Sequence, residues 1–168
     1  MSEFPIIFLD VDSVLNSPRW FDSAECKSLR KQYATSKGYS DTEHLYYTMF
    51  DPKQVQMLKE ILEKTGARIV LSSTWRLLDI TRDAFAMNRA AIPNLDSLVI
   101  GMTAQIPRGH RGTEIDQWIK ENGFGGQFVI LDDWNCMEPH MDKLVQTCWG
   151  NGMLRKHADE VIRRLTLC

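Results

Sequence analysis

Pro5-Ile6-Ile7-Phe8-Leu9-Asp10-Val11-Asp12-Ser13-Val14-Leu15-Asn16 is a compact apolar run that ends in two carboxylates two residues apart. An apolar run without polar alternation suits a strand buried on both faces, as in a parallel sheet. Two carboxylates at the end of such a strand are costly unless something compensates them. A divalent cation does so, and hard oxygen ligands suit magnesium. The spacing also divides labour. One carboxylate can attack a phosphorus atom while the other, across a turn, gives or takes a proton. A polar turn with solvated aspartates is the plainer reading of the same residues.

Two further runs repeat the theme. Phe128-Val129-Ile130-Leu131-Asp132-Asp133 is a second buried strand ending in two acids. If it lies parallel beside the first, four carboxylates meet at one edge and argue for a bound cation. Ile69-Val70-Leu71-Ser72-Ser73-Thr74-Trp75-Arg76 is an apolar strand ending in hydroxyls. A hydroxyl there can donate to a phosphoryl oxygen beside a helix N-terminus, although Ser and Thr also serve as plain helix caps.

Between these runs the chain alternates strand and helix patterns. Asp51-Pro52 opens a helix with Val55, Leu58, Ile61 and Leu62 on one face and Gly66 at its end. The pattern predicts helices over residues 75–88, 112–122 and 154–165, and strands over 68–71, 98–100 and 144–146. Strands alternating with helices imply an α/β fold with a central parallel sheet covered on both sides. Ligands of such folds sit beyond the carboxyl ends of the strands. Residues 17–50 break the pattern. They mix Trp20, Phe21, Tyr33, Tyr39, Tyr46, Tyr47 and Phe50 with Arg19, Lys27, Arg30, Lys31 and Lys37. An insertion directly after a strand end reads as a lid or substrate contact, or as a flap packed on the sheet edge.

The totals set bounds. The 168 residues suit one domain with a real core, and 43% hydrophobic with 25% charged residues is ordinary for a globular protein. A net charge of −2 indicates no global attraction to nucleic acid or anionic membrane. No apolar run is long enough to span a bilayer, and Glu3 and Asp10 interrupt any signal-peptide pattern. Cys26, Cys136, Cys148 and Cys168 show no CxxC spacing, which suits a reducing, cytoplasmic setting. A metal shared by Cys136, His140 and Cys148 is the less favoured alternative to small semi-buried thiols.

The three acid- and hydroxyl-terminated runs, in this order, resemble the haloacid-dehalogenase-like (HAD) phosphohydrolase superfamily over nearly the whole chain. Residues 10–15 match its first motif, Asp-x-Asp-x-Val-Leu; Ser72, with Ser73 as the other register, matches the second; Asp132 and Asp133 match the fourth. Arg111 is the best match to the third motif, a basic residue that is usually lysine, and Arg108 is the fallback. The strings VLSSTWR, RGTEIDQWI, VILDD and LVQT are similar to small HAD domains that include the phosphatase-like domains of RNA-repair proteins. The resemblance implies a Rossmann-like three-layer sandwich, with residues 17–50 as a short cap after the first strand.

It also implies a magnesium-dependent phosphatase working through an aspartyl-phosphate. Asp10 would be the nucleophile and Asp12 the general acid/base. Ser72 and Arg111 would orient the phosphoryl group. Magnesium would be held by Asp10, the Asp12 carbonyl and Asp132, with Asp133 close by. Ser73, Trp75 and Arg76 are the expected substrate contacts, Trp75 and Arg76 stacking a ring or holding a second phosphate. Packing in the core is the alternative for Trp75. The expected partner is a phosphorylated substrate, a nucleotide or nucleic-acid end among the candidates, with no membrane. The chain would act as a monomer or homodimer. A phosphotransferase or mutase, or a non-catalytic binder of phosphate ligands, are the rival readings. Ser13 departs from the family, which commonly has Gly there, so a left-handed turn would be somewhat costly.

Overall fold

The computed structural model describes residues 4–35, 48–77, 92, 94–107 and 109–167. Five strands form one parallel sheet: β1 (Ile6–Leu9), β2 (Arg68–Leu71), β3 (Val99–Met102), β4 (Phe128–Asp132) and β5 (Leu144–Gln146), in the order β3-β2-β1-β4-β5. The first strand is thus central and buried on both faces, as suits its unbroken apolar run.

Successive side chains of a strand point to opposite faces, so one run feeds two cores. Ile7 and Leu9 join a cluster with Val55, Leu58, Ile61 and Leu62 of helix α3 (Pro52–Thr65) and Ala158, Val161 and Leu165 of helix α6 (Arg155–Thr166). Ile6 and Phe8 face the other way, with Val70, Ile130, Met137 and Ile115 of helix α5 (Arg111–Glu121). Phe8 is fully buried and meets Trp118 and Phe128 edge-on, each at 5.5 Å between ring centroids. Phe8→Ala is expected to cost about 3–5 kcal/mol of stability, read as a lower denaturant midpoint with little change in slope.

Helix α3 begins and ends as its sequence signals. Asp51 accepts from Lys53 N–H at 2.9 Å, and Gly66 closes the helix at φ 64°. The third strand is displaced from the expected 98–100. Leu98 ends a short helix, α4 (Leu95–Leu98), and packs on the core, while the strand runs over Val99–Met102. As an edge strand it buries one side only: Ile100 and Met102 are exposed, which is why its apolar pattern is weak. The helix expected over 75–88 shows a 3-10 turn at Thr74–Leu77, and the remainder lies outside the described residues.

The insertion is more regular than its pattern suggests, with helices α1 (Pro18–Asp22) and α2 (Ala24–Thr35). Trp20 is buried and donates to Thr48 O at 2.9 Å, and Phe50 is buried against Trp75. Lys37, Tyr39, Tyr46 and Tyr47 lie outside the described residues. Among the described residues no helix is long and apolar enough to cross a membrane.

Candidate active site

Strand register assembles the site. β1 pairs Leu9 with Leu71 of β2 and with Leu131 of β4. The next residue on each strand, Asp10, Ser72 and Asp132, therefore sits at one level at the carboxyl edge of the sheet. Asp10 N donates to Leu131 O and Ser72 N to Leu9 O, each at 3.0 Å, which locks the three strand ends together there. Asp133 follows, and a carboxylate oxygen from each of Asp10, Asp132 and Asp133 lies within 4.8 Å of the others.

Arg111 enters from the first turn of α5. Its Nη1 is 2.9 Å from Asp10 Oδ2 and donates to Asp132 Oδ2. Gly112 permits this approach, because a Cβ there would collide with the backbone of Met137 and Glu138. Burial works against the Arg111 charge, but Asp10 and Asp132 together outweigh it and raise its pKa. Burial first and the Asp10 charge second push Asp132 from 3.8 up to about 7, against the opposing pull of Arg111 and the Trp134 N–H. The same two causes raise Asp133. One arginine thus leaves three crowded carboxylates undercompensated.

The family described as "HAD domain in Swiss Army Knife RNA repair proteins" matches residues 6–158. The chain belongs to this family. No curated protein matches it. A haloacid dehalogenase-like family hydrolase from Streptococcus pneumoniae is similar at 16% identity, over 96% of this chain and 92% of that one, with a TM-score of 0.42.

HAD domains generally use a divalent metal, and the donor set of this one suits such an ion. Three hard carboxylates converge, two of them buried, with net negative charge after Arg111 is counted. Among the described residues this is the single group of its kind. Cys136, His140 and Cys148 form no such cluster; His140 instead pairs with Asp116 at 3.4 Å.

Asp12 projects outward from the turn after β1 and is exposed. Its Oδ1 accepts from Asn16 Nδ2 at 2.9 Å and its Oδ2 from Trp75 Nε1 at 2.7 Å. Ser13 does adopt the left-handed region, at φ 58°. Its N–H donates to Asn16 Oδ1, its hydroxyl donates to Trp149 O, and its carbonyl accepts from Thr147 Oγ1 at 2.7 Å. These contacts hold a turn in the HAD domain that a glycine would adopt without help.

Ser72 Oγ is buried and reaches no hydrogen-bond partner. Ser73 Oγ accepts from Trp75 N at 3.3 Å and so caps the 3-10 turn. Arg76 is turned into the protein. It pairs with Glu114 at 2.7 Å and donates to the carbonyls of Ser72 and Ser73. Its charge is thereby spent on holding the Ser72–Ser73 backbone, with Glu114 in turn accepting from Ile106 N. Arg108 lies outside the described residues. Sequence reasoning passed over Asn16 and Glu114. Asn16 closes the first quoted stretch, but nothing in a linear pattern shows which carboxylate its amide faces.

Proposed function

We propose that this HAD domain is a magnesium-dependent phosphatase that hydrolyses a phosphomonoester through an aspartyl-phosphate on Asp10. The observation that carries the reading is the unpartnered Ser72 hydroxyl at the same sheet level as the Asp10, Asp132 and Asp133 cluster. A buried hydroxyl without a partner is uncommon in a native protein and fits a missing acceptor, here a phosphoryl oxygen.

Asp10, Asp132 and the Asp12 carbonyl would hold magnesium, with Asp133 beside them. The ion would supply Lewis-acid screening between an anionic nucleophile and an anionic substrate. A carboxylate oxygen of Asp10 attacks phosphorus while the bond from phosphorus to the ester oxygen breaks. Asp12 gives its proton to that departing oxygen, then takes one from the water that cleaves the acyl-phosphate. Ser72 and Arg111 orient the phosphoryl oxygens.

Nucleotides or nucleic-acid ends are the substrates we favour. The family is one found in RNA repair proteins. Trp134 and Trp149, 62% and 70% exposed, stand in the loops after β4 and β5. Trp134 has the Arg111 guanidinium over its ring at 5.8 Å. Exposed tryptophans next to a phosphate site suit stacking of bases. A generic aryl phosphate with magnesium tests the reaction. Full turnover in excess chelator, after removal of bound metal, would sink the metal dependence.

Acidity adds a second check. Asp132 keeps its proton in the folded, metal-free protein up to about pH 7, whereas it loses it near 3.8 when unfolded. The folded state therefore binds the extra proton across that window, and metal-free stability falls as pH rises through it. Magnesium competes with that proton, so its stabilisation should be larger at high than at low pH. Thermal melts with and without magnesium below and above about pH 7 check both signs.

A further inference from the structure

We propose that Trp75 and Asn16 are positioning residues for Asp12, clamping one carboxylate oxygen each so that the remaining lone pairs face the leaving oxygen. The inference rests on the role given to Asp12 above, and it assigns to Trp75 a part other than substrate contact.

The clamp has two arms with separate foundations. Trp75 Nε1 donates to Oδ2 at 2.7 Å, and Asn16 Nδ2 donates to Oδ1 at 2.9 Å. Asp12 itself is exposed, whereas Asn16 and Trp75 are 2% and 7% exposed. Buried, fixed donors thus hold a side chain that solvent would otherwise leave free among rotamers.

Each donor is itself aimed. Asn16 Oδ1 is occupied by the Ser13 N–H at 3.1 Å, so the amide cannot reverse without placing its NH2 against another donor. Trp75 is fixed by its N–H to Ser73 Oγ and by Phe50, whose ring centroid is 5.8 Å away at an interplanar angle of 33°. An indole N–H is donor only, so its geometry selects an acceptor, and the Asp12 carboxylate is the one it meets. The loop that presents the Ser72 hydroxyl thereby also aims the acid/base, and Phe50 ties that aim to the end of the insertion.

General acid/base help matters most for poor leaving groups. Trp75→Phe keeps the ring and loses the donor. It should lower kcat for an alkyl phosphate by about 10–100-fold, the loss of one charge-assisted hydrogen bond, with KM little changed. For an aryl phosphate with an acidic phenol it should change kcat by less than about threefold, because such a group departs with little protonation. Activity on the aryl substrate in the same sample also reports that the variant is folded. In the Asp12→Asn background, Trp75→Phe should add no leaving-group selectivity. Equal losses on both substrates, or the same selective loss in both backgrounds, would mean a structural role and overturn the proposal.

If the unaltered protein hydrolyses neither ester, the phosphatase reading fails on its own. The clamp is then judged by the Trp75 indole N–H resonance. It should move clearly between the unaltered protein and Asp12→Asn. An unmoved resonance would overturn the clamp.

Discussion

Asp10→Asn should lower turnover by at least about 10⁴-fold and leave no trapped acyl-phosphate. An amide is a poor nucleophile, and the carboxylates of Asp132 and Asp12 are engaged by other donors. Asp132 accepts from Arg111 Nη1 and from the Trp134 N–H. Both Asp12 oxygens accept from the donors of Asn16 and Trp75. Asp12→Asn should fail differently. It keeps the nucleophile, so an aryl phosphate still charges the enzyme, and phosphoenzyme accumulates because its hydrolysis lacks a base. Acid trapping after incubation with a radiolabelled ester distinguishes the two variants. Label retained in Asp10→Asn, on Asp12 or Asp132, would show that Asp10 is not the nucleophile.

Replacing Arg111 is expected to have the second largest effect, and on two quantities. The guanidinium contacts Asp10 and Asp132 at once, with both carboxylates buried. Arg111→Met removes the one described cation in contact with the cluster. Removing one partner of a buried ion pair costs about 3–5 kcal/mol because the other charge is left uncompensated. That loss should be largest without metal and above the Asp132 transition near pH 7, and magnesium should recover part of it. Activity should fall by about 10²–10³-fold, as for loss of one preorganised donor to a developing charge. Arg111→Lys keeps a charge but not the planar fork, and should fall between the two. Denaturant melts with and without magnesium, beside turnover of an aryl phosphate, test the pair of effects. A variant of unaltered stability and rate would remove Arg111 from the site.

Gly112 and Arg111 illustrate a limit of linear reading. Their string suggests a helix start with a basic residue. That the helix can come close enough to reach Asp10 depends on Gly112 lying against the backbone of Met137 and Glu138. Arg76 is the converse case. Beside Trp75 and two hydroxyls it looks available to a ligand, but Glu114, 38 residues later in the chain, takes its charge.

The linear order of residues determined the α/β class, a first strand buried on both faces and the acidic ends of β1 and β4. Those features follow from local physics: unbroken apolar runs need burial on both faces, and carboxylates at their ends need a cation. Tertiary structure alone decided which side chains meet. The register of Leu9 with Leu71 and Leu131 put Asp10, Ser72 and Asp132 on one level. The packing of the 3-10 turn against Phe50 sent the Trp75 indole to Asp12. In the fold Arg76 turns inward to Glu114, and the Ser72 hydroxyl has no partner. Hydrogen bonds and ion pairs of this kind join residues far apart in the chain, 63 positions between Trp75 and Asp12 and 38 between Arg76 and Glu114. They depend on angles and distances of a few ångströms that no sequence spacing encodes.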